Sequence, residues 1–136
     1  MYHIEGRHAK KEIVEQYVVA LMKALKINRL SSKLVLIQFK TKLDNEAQGL
    51  CMGDKTYAAI QIGKSGQTFL QQMQALAHEM VHAKQFLRGE LNCEGAWKWK
   101  GRMADGYEYM NQPWEKEAYR LERDLFLDCF PFQLLD

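Results

Sequence analysis

Cysteine is sparse and its spacing is uninformative: Cys51, Cys93 and Cys129 are odd in number and contain no C-x-x-C pair, so neither a disulfide framework nor a zinc ribbon is indicated. Reduced thiols in a cytoplasmic compartment are the expectation. Long apolar runs are missing as well. The opening Met1-Tyr2-His3-Ile4-Glu5-Gly6-Arg7-His8 has no apolar stretch of the kind that directs export, and no later segment approaches the length of a membrane span. An excess of one charge is absent too: 19 Lys and Arg against 17 Asp and Glu leave a net charge of +2, so composition makes no case for binding nucleic acid. Repeats, linkers and low-complexity segments are also lacking. The 136 residues, 47% of them apolar, suit one domain over 1–136 that buries a core without disulfides.

Local patterning predicts an α+β fold. Ala9 to Leu25 carries Ile13, Val14, Tyr17, Val18, Leu21 and Met22 at helical spacing, with Lys and Glu on the other face. Leu34 to Lys40 is an apolar, β-branched run, Leu50 to Gly53 is short, and Tyr57 to Gly63 alternates with Ala58, Ile60 and Ile62 on one side. Asp44-Asn45 and Gly53-Asp54 supply turns. Thr68 can cap a long helix, and Pro113 opens a last helix to about Asp128 whose stripe is Trp114, Ala118, Leu121 and Leu125. Between them, Ala96 to Gly101 and Tyr107 to Tyr109 alternate aromatic and charged residues about a turn at Ala104-Asp105-Gly106, which predicts a hairpin or folded loop.

The second helix contains His78-Glu79-Met80-Val81-His82, an H-E-x-x-H word. Two histidines four apart lie about one turn apart on one face, so their imidazoles can converge on one metal ion, and the glutamate between them reaches a metal-bound water. Zinc lowers the pKa of such a water and the carboxylate accepts its proton. Phe69, Met73, Leu76, Ala77, Met80 and Leu87 form the apolar stripe of this helix, and at about 100° per residue His78 and His82 fall roughly opposite its centre, beside Gln71, Ala75 and Gln85.

Catalytic zinc takes three protein ligands and keeps one position open. The four histidines stand at 3, 8, 78 and 82, so none after the motif can be the third ligand, and a carboxylate from the last helix is the remaining common solution. Glu115 and Glu117 are the candidates. They point about 200° apart, Glu117 beside Leu121 and Asp124, Glu115 beside Tyr119 and Glu122, and periodicity does not choose between them.

Ala77-His-Glu-Met-Val-His-Ala-Lys-Gln85 followed by Pro113-Trp-Glu-Lys-Glu-Ala-Tyr119 resembles small glutamate-zincin and SprT-like metallopeptidase domains of phages and bacteria, over roughly residues 50 to 128. SprT-like proteins themselves use a third histidine, which this chain does not have. In similar families the third ligand is a glutamate followed directly by alanine, which here is Glu117. The resemblance implies a compact zincin-like fold with a small twisted sheet, an N-terminal helix, the motif helix and a C-terminal glutamate helix. It also implies a monomeric zinc metallopeptidase, with one Zn2+ per chain on His78, His82 and Glu117, Glu79 as general base, and a peptide or protein substrate. Tyr57 to Ile62 is the expected edge strand for that substrate, and Tyr107, Tyr109 and Tyr119 are candidates to stabilise the oxyanion. The alternative is a binding or regulatory module with a structural or vestigial metal, for which Lys98, Lys100 and Arg102 would form the surface.

Overall fold

The computed structural model describes residues 1–135. The elements in chain order are β1 (Tyr2–Glu5), α1 (Lys11–Ala24), β2 (Leu34–Lys40), β3 (Gly49–Gly53), β4 (Tyr57–Gly63), α2 (Phe69–Leu87), the short strands β5 (Leu91–Asn92), β6 (Lys98–Trp99) and β7 (Arg102–Met103), and α3 (Pro113–Cys129). This is the α+β composition expected. No helix among the described residues is long and apolar enough to cross a membrane.

The main sheet has the order β1-β2-β4-β3. β1, β2 and β4 are parallel, and β3 returns antiparallel to β4, with Gly49 opposite Ile62 and Gly53 opposite Ala58. The tight return is made by Asp54, whose carboxylate accepts from the backbone N–H groups of Thr56 at 2.7 Å and Tyr57 at 3.2 Å. Alternation sorts the two faces: Ile4, Val35, Ile37, Ala58, Ile60 and Ile62 are buried against α1 and α2. Glu5, Gln38 and Gln61 occupy the other face, joined by hydrogen bonds from Gln38 to Glu5 at 2.7 Å and from Gln61 to Gln38 at 3.2 Å.

α1 buries Val14, Tyr17, Val18 and Leu21 completely, and the Tyr17 hydroxyl donates to the Met73 carbonyl of α2 at 2.8 Å, so the one polar atom on this face is satisfied. α2 starts on a capping box: Thr68 Oγ1 accepts from the Gln71 N–H at 3.1 Å while the Gln71 side chain accepts from the Thr68 N–H at 2.9 Å. Its second half lies between the sheet and α3, which is why Ala77 to Ala83 are buried without interruption. Facing a helix on one side and a sheet on the other, α2 needs no solvated stripe there, and the face that carries His78 and His82 is covered by α3.

Three expectations are corrected. Tyr57 to Ile62 is not an edge strand: β4 is paired on both sides, by β2 and β3, and the open edge beside the helices belongs to β3. The aromatic hairpin turns at Lys100 and Gly101, with φ of 51° and 82°, rather than at Ala104 to Gly106. Positive φ at both central residues matches the right-handed twist of the two strands it joins. Tyr107 to Tyr109 forms no strand, and Tyr109 begins a short 3-10 turn to Asn111. An N-terminal strand, β1, adds to the elements expected from local patterning.

Candidate metal centre

The motif turns of α2 and the first turns of α3 bring His78, His82 and Glu115 together, all three buried, with ligating atoms within 4.8 Å of one another. Glu115 bridges the two rings: one carboxylate oxygen lies 2.9 Å from Nε2 of His78 and the other 3.0 Å from Nε2 of His82. Trp114 and Ala118, only 3% and 0% exposed, fix the face that α3 presents inward and thereby aim Glu115 between the histidines.

Each ring is also held at its other nitrogen. His78 Nδ1 lies 3.2 Å from Glu122, whose second oxygen accepts from Gln74 at 3.3 Å. His82 Nδ1 lies 2.8 Å from the Gln85 side-chain oxygen. Fixing Nδ1 in this way directs both Nε2 atoms toward one point, the arrangement by which metal-ligating histidines are usually oriented. Sequence reasoning does not assign these roles to Glu122 and Gln85. Glu115, Tyr119 and Glu122 stand at i, i+4 and i+7, and that spacing is the signal by which Glu122 could be found.

Glu117, expected as the third ligand, is elsewhere. Its carboxylate accepts from Lys84 Nζ at 2.7 Å and from the Gln85 amide at 3.0 Å, on the flank of α3 away from the His78 ring. The glutamate that meets both histidines is Glu115, because the helix turns Glu117 about 200° from it.

Glu79 is 7% exposed and lies in a cleft bordered by Gly49 and Leu50 of β3, His78, Tyr109 and Tyr119. Burial pushes its carboxyl up to about 7, against the pull of the His82 and His78 imidazoles. Burial would also raise the Glu115 carboxyl, but hydrogen bonds and charge from the two rings outweigh it and hold it down near 2. For His78 burial acts downward and is overcome by hydrogen bonds to Glu115 and Glu122, which lift it to about 10, and His82 is raised by Glu115 against the same opposing burial. Three carboxylates thus surround two imidazoles. Their negative potential favours positive charge between them, as ring protons or as a metal dication.

The donor set fits a metal ion. Two imidazole nitrogens with one carboxylate is a known catalytic zinc set, and zinc–ligand lengths of about 2.0 to 2.2 Å put tetrahedral ligands about 3.3 Å apart, a few tenths of an ångström beyond the present contacts. Of the three tyrosines, the Tyr109 hydroxyl donates to Glu115 at 3.1 Å and lies 3.4 Å from that of Tyr119, whose ring packs on His78 at 4.6 Å between centroids. Tyr107 packs instead on Trp114, 6.5 Å between centroids. In comparisons with known proteins, no family model, no curated protein and no solved structure matches the chain.

Proposed function

We propose that the protein is a zinc-dependent metallopeptidase of zincin type, with His78, His82 and Glu115 as metal ligands and Glu79 as general base. The observation that carries this reading is the convergence of both Nε2 atoms on the carboxylate of Glu115, with Glu79 buried in a cleft that His78 also lines. Zinc held there would supply Lewis-acid polarisation of a water and of the scissile carbonyl.

The chain's own residues account for the proton. A carboxylate whose pKa is near 7 can accept a proton from the attacking water and return it to the leaving nitrogen at neutral pH. A carboxyl at its ordinary value of 4.5 would be a weaker base for the first task. Tyr109 is the nearest hydroxyl donor that could turn from Glu115 to the developing oxyanion. The open edge of β3 borders the cleft, so an extended peptide can add to it by main-chain pairing while its scissile bond passes Glu79.

The test is cleavage of a peptide library by zinc-loaded protein, compared with Glu79→Gln, which keeps side-chain size but removes the base. Cleavage by the wild type and at least a hundredfold loss in the variant, with zinc retained, is the expected result. Zinc binding with no cleavage of any peptide or protein would favour a structural metal instead.

A further inference from the structure

We propose that Glu117 is a positioning residue for His82, acting through Gln85: its carboxylate holds the Gln85 amide in the one orientation that receives the Nδ1–H of His82 and leaves Nε2 facing Glu115. The bearing of this on metal affinity rests on the zinc reading above, whereas the orientation itself does not.

Gln85 is fully buried on α2, three residues after His82. Its Nε2 lies 3.0 Å from the Trp114 carbonyl and 3.0 Å from a Glu117 carboxylate oxygen, both contributed by α3. Neither partner can donate. A backbone carbonyl carries no proton. The same Glu117 oxygen accepts from Lys84 Nζ at 2.7 Å, so it faces Gln85 as an acceptor.

Turning the Gln85 amide over would place its oxygen against two acceptors and its NH2 against His82, leaving buried polar groups without partners. The amide oxygen therefore faces His82 Nδ1, at 2.8 Å, and as an acceptor it requires a proton there. With Nδ1 carrying that proton, Nε2 is the nitrogen free to bind a metal. Lys84 completes the chain, pairing with Glu117 at 2.7 Å and with Glu90 at 2.8 Å, so a half-buried ion pair between α2 and α3 anchors the acceptor.

Two readouts test this: solvent exchange of the His82 Nδ1–H in metal-free protein, followed by nitrogen-edited NMR, and zinc affinity by competition with a chromophoric chelator. Glu117→Ala is expected to speed exchange at least about tenfold and to weaken zinc about tenfold. Glu117→Gln, whose amide oxygen still accepts from Gln85, is expected to stay within about threefold of wild type in both. Because Glu117→Ala leaves the Lys84 charge with Glu90 as its remaining partner, K84M/E117A is the variant to read if the single variant does not fold.

Wild-type exchange in folded Glu117→Ala or K84M/E117A overturns the proposal, as does Glu117→Gln behaving like Glu117→Ala. If wild type binds no zinc but the exchange effect appears, the positioning role stands and the metal reading falls. If zinc binds and exchange is unaltered by Glu117→Ala, the reverse holds.

Discussion

Gly49 of the edge strand lies directly against Glu79: a methyl group on Gly49 would sit 2.9 Å from Cγ and 3.0 Å from Oε2 of that side chain, and 3.2 Å from Cδ1 of Ile62. The strand that borders the cleft and the residue expected to move the proton are thus in contact, and only the absence of a Cβ lets them approach. Cγ is not the free end of the glutamate, so it cannot swing clear without moving the carboxylate.

Gly49→Ala is therefore expected to displace Glu79, to lower stability by about 1 to 3 kcal/mol as an overpacked contact, and to reduce peptide cleavage at least tenfold with zinc content unchanged. Denaturant unfolding, elemental analysis and a cleavage assay on one preparation check it. Cleavage at the wild-type rate would mean that Glu79 does not need its present position.

Among the tyrosines the geometry separates Tyr109 from Tyr107. Tyr109→Phe removes the hydroxyl that donates to Glu115 and is expected to lower kcat by about 10²-fold while leaving zinc bound, whereas Tyr107→Phe, altering a ring that packs on Trp114, is expected to leave kcat unchanged. Steady-state kinetics of the two variants decide the matter, and equal effects would remove Tyr109 from the proposed chemistry.

The metal-free and metal-bound proteins should respond oppositely to pH. In the metal-free chain the raised His78, from 6.5 to about 10, stabilises fully below pH 6.5 and loses that contribution as pH rises toward 10. The depressed Glu115, from 4.5 to about 2, stabilises above pH 4.5 and loses its contribution as pH falls toward 2. Glu79, raised from 4.5 to about 7, adds a further loss as pH rises between those values. Zinc requires the imidazoles without their Nε2 protons, so its binding strengthens over the same rise. The gain in Tm on adding zinc should be larger at about pH 8 than at about pH 6, measured by thermal melts with zinc and with chelator. A gain that shrinks with pH would contradict the ligand assignment.

Periodic, locally determined elements are legible in the amino-acid sequence. α1, β2, β4, the Thr68 cap and the Pro113 start all stand close to where apolar spacing and capping chemistry predict them. What local patterning does not reveal is non-local or is decided by one turn. β1 exists only through parallel pairing with β2, 33 positions away in the register Tyr2 to Val35, and its four residues carry no strong strand pattern. The aromatic hairpin turns at Lys100-Gly101 because two residues with positive φ close it more tightly than the longer segment around Asp105. In the site, His78, Glu79 and His82 are legible from their spacing. The choice between Glu115 and Glu117 is not, since one amphipathic helix offers two flanks and only the packing of α3 on α2 says which flank meets the histidines. The resemblance to families with a glutamate-alanine pair points to the opposite flank.

Zinc stoichiometry in wild type, Glu115→Ala and Glu117→Ala, by elemental analysis after dialysis against a weak chelator, bears most directly on the proposed centre. One zinc per chain in wild type, retained by Glu117→Ala at reduced affinity and lost from Glu115→Ala, is the predicted pattern. No zinc in the wild type even after it is offered, or zinc kept by Glu115→Ala and lost from Glu117→Ala, would contradict it.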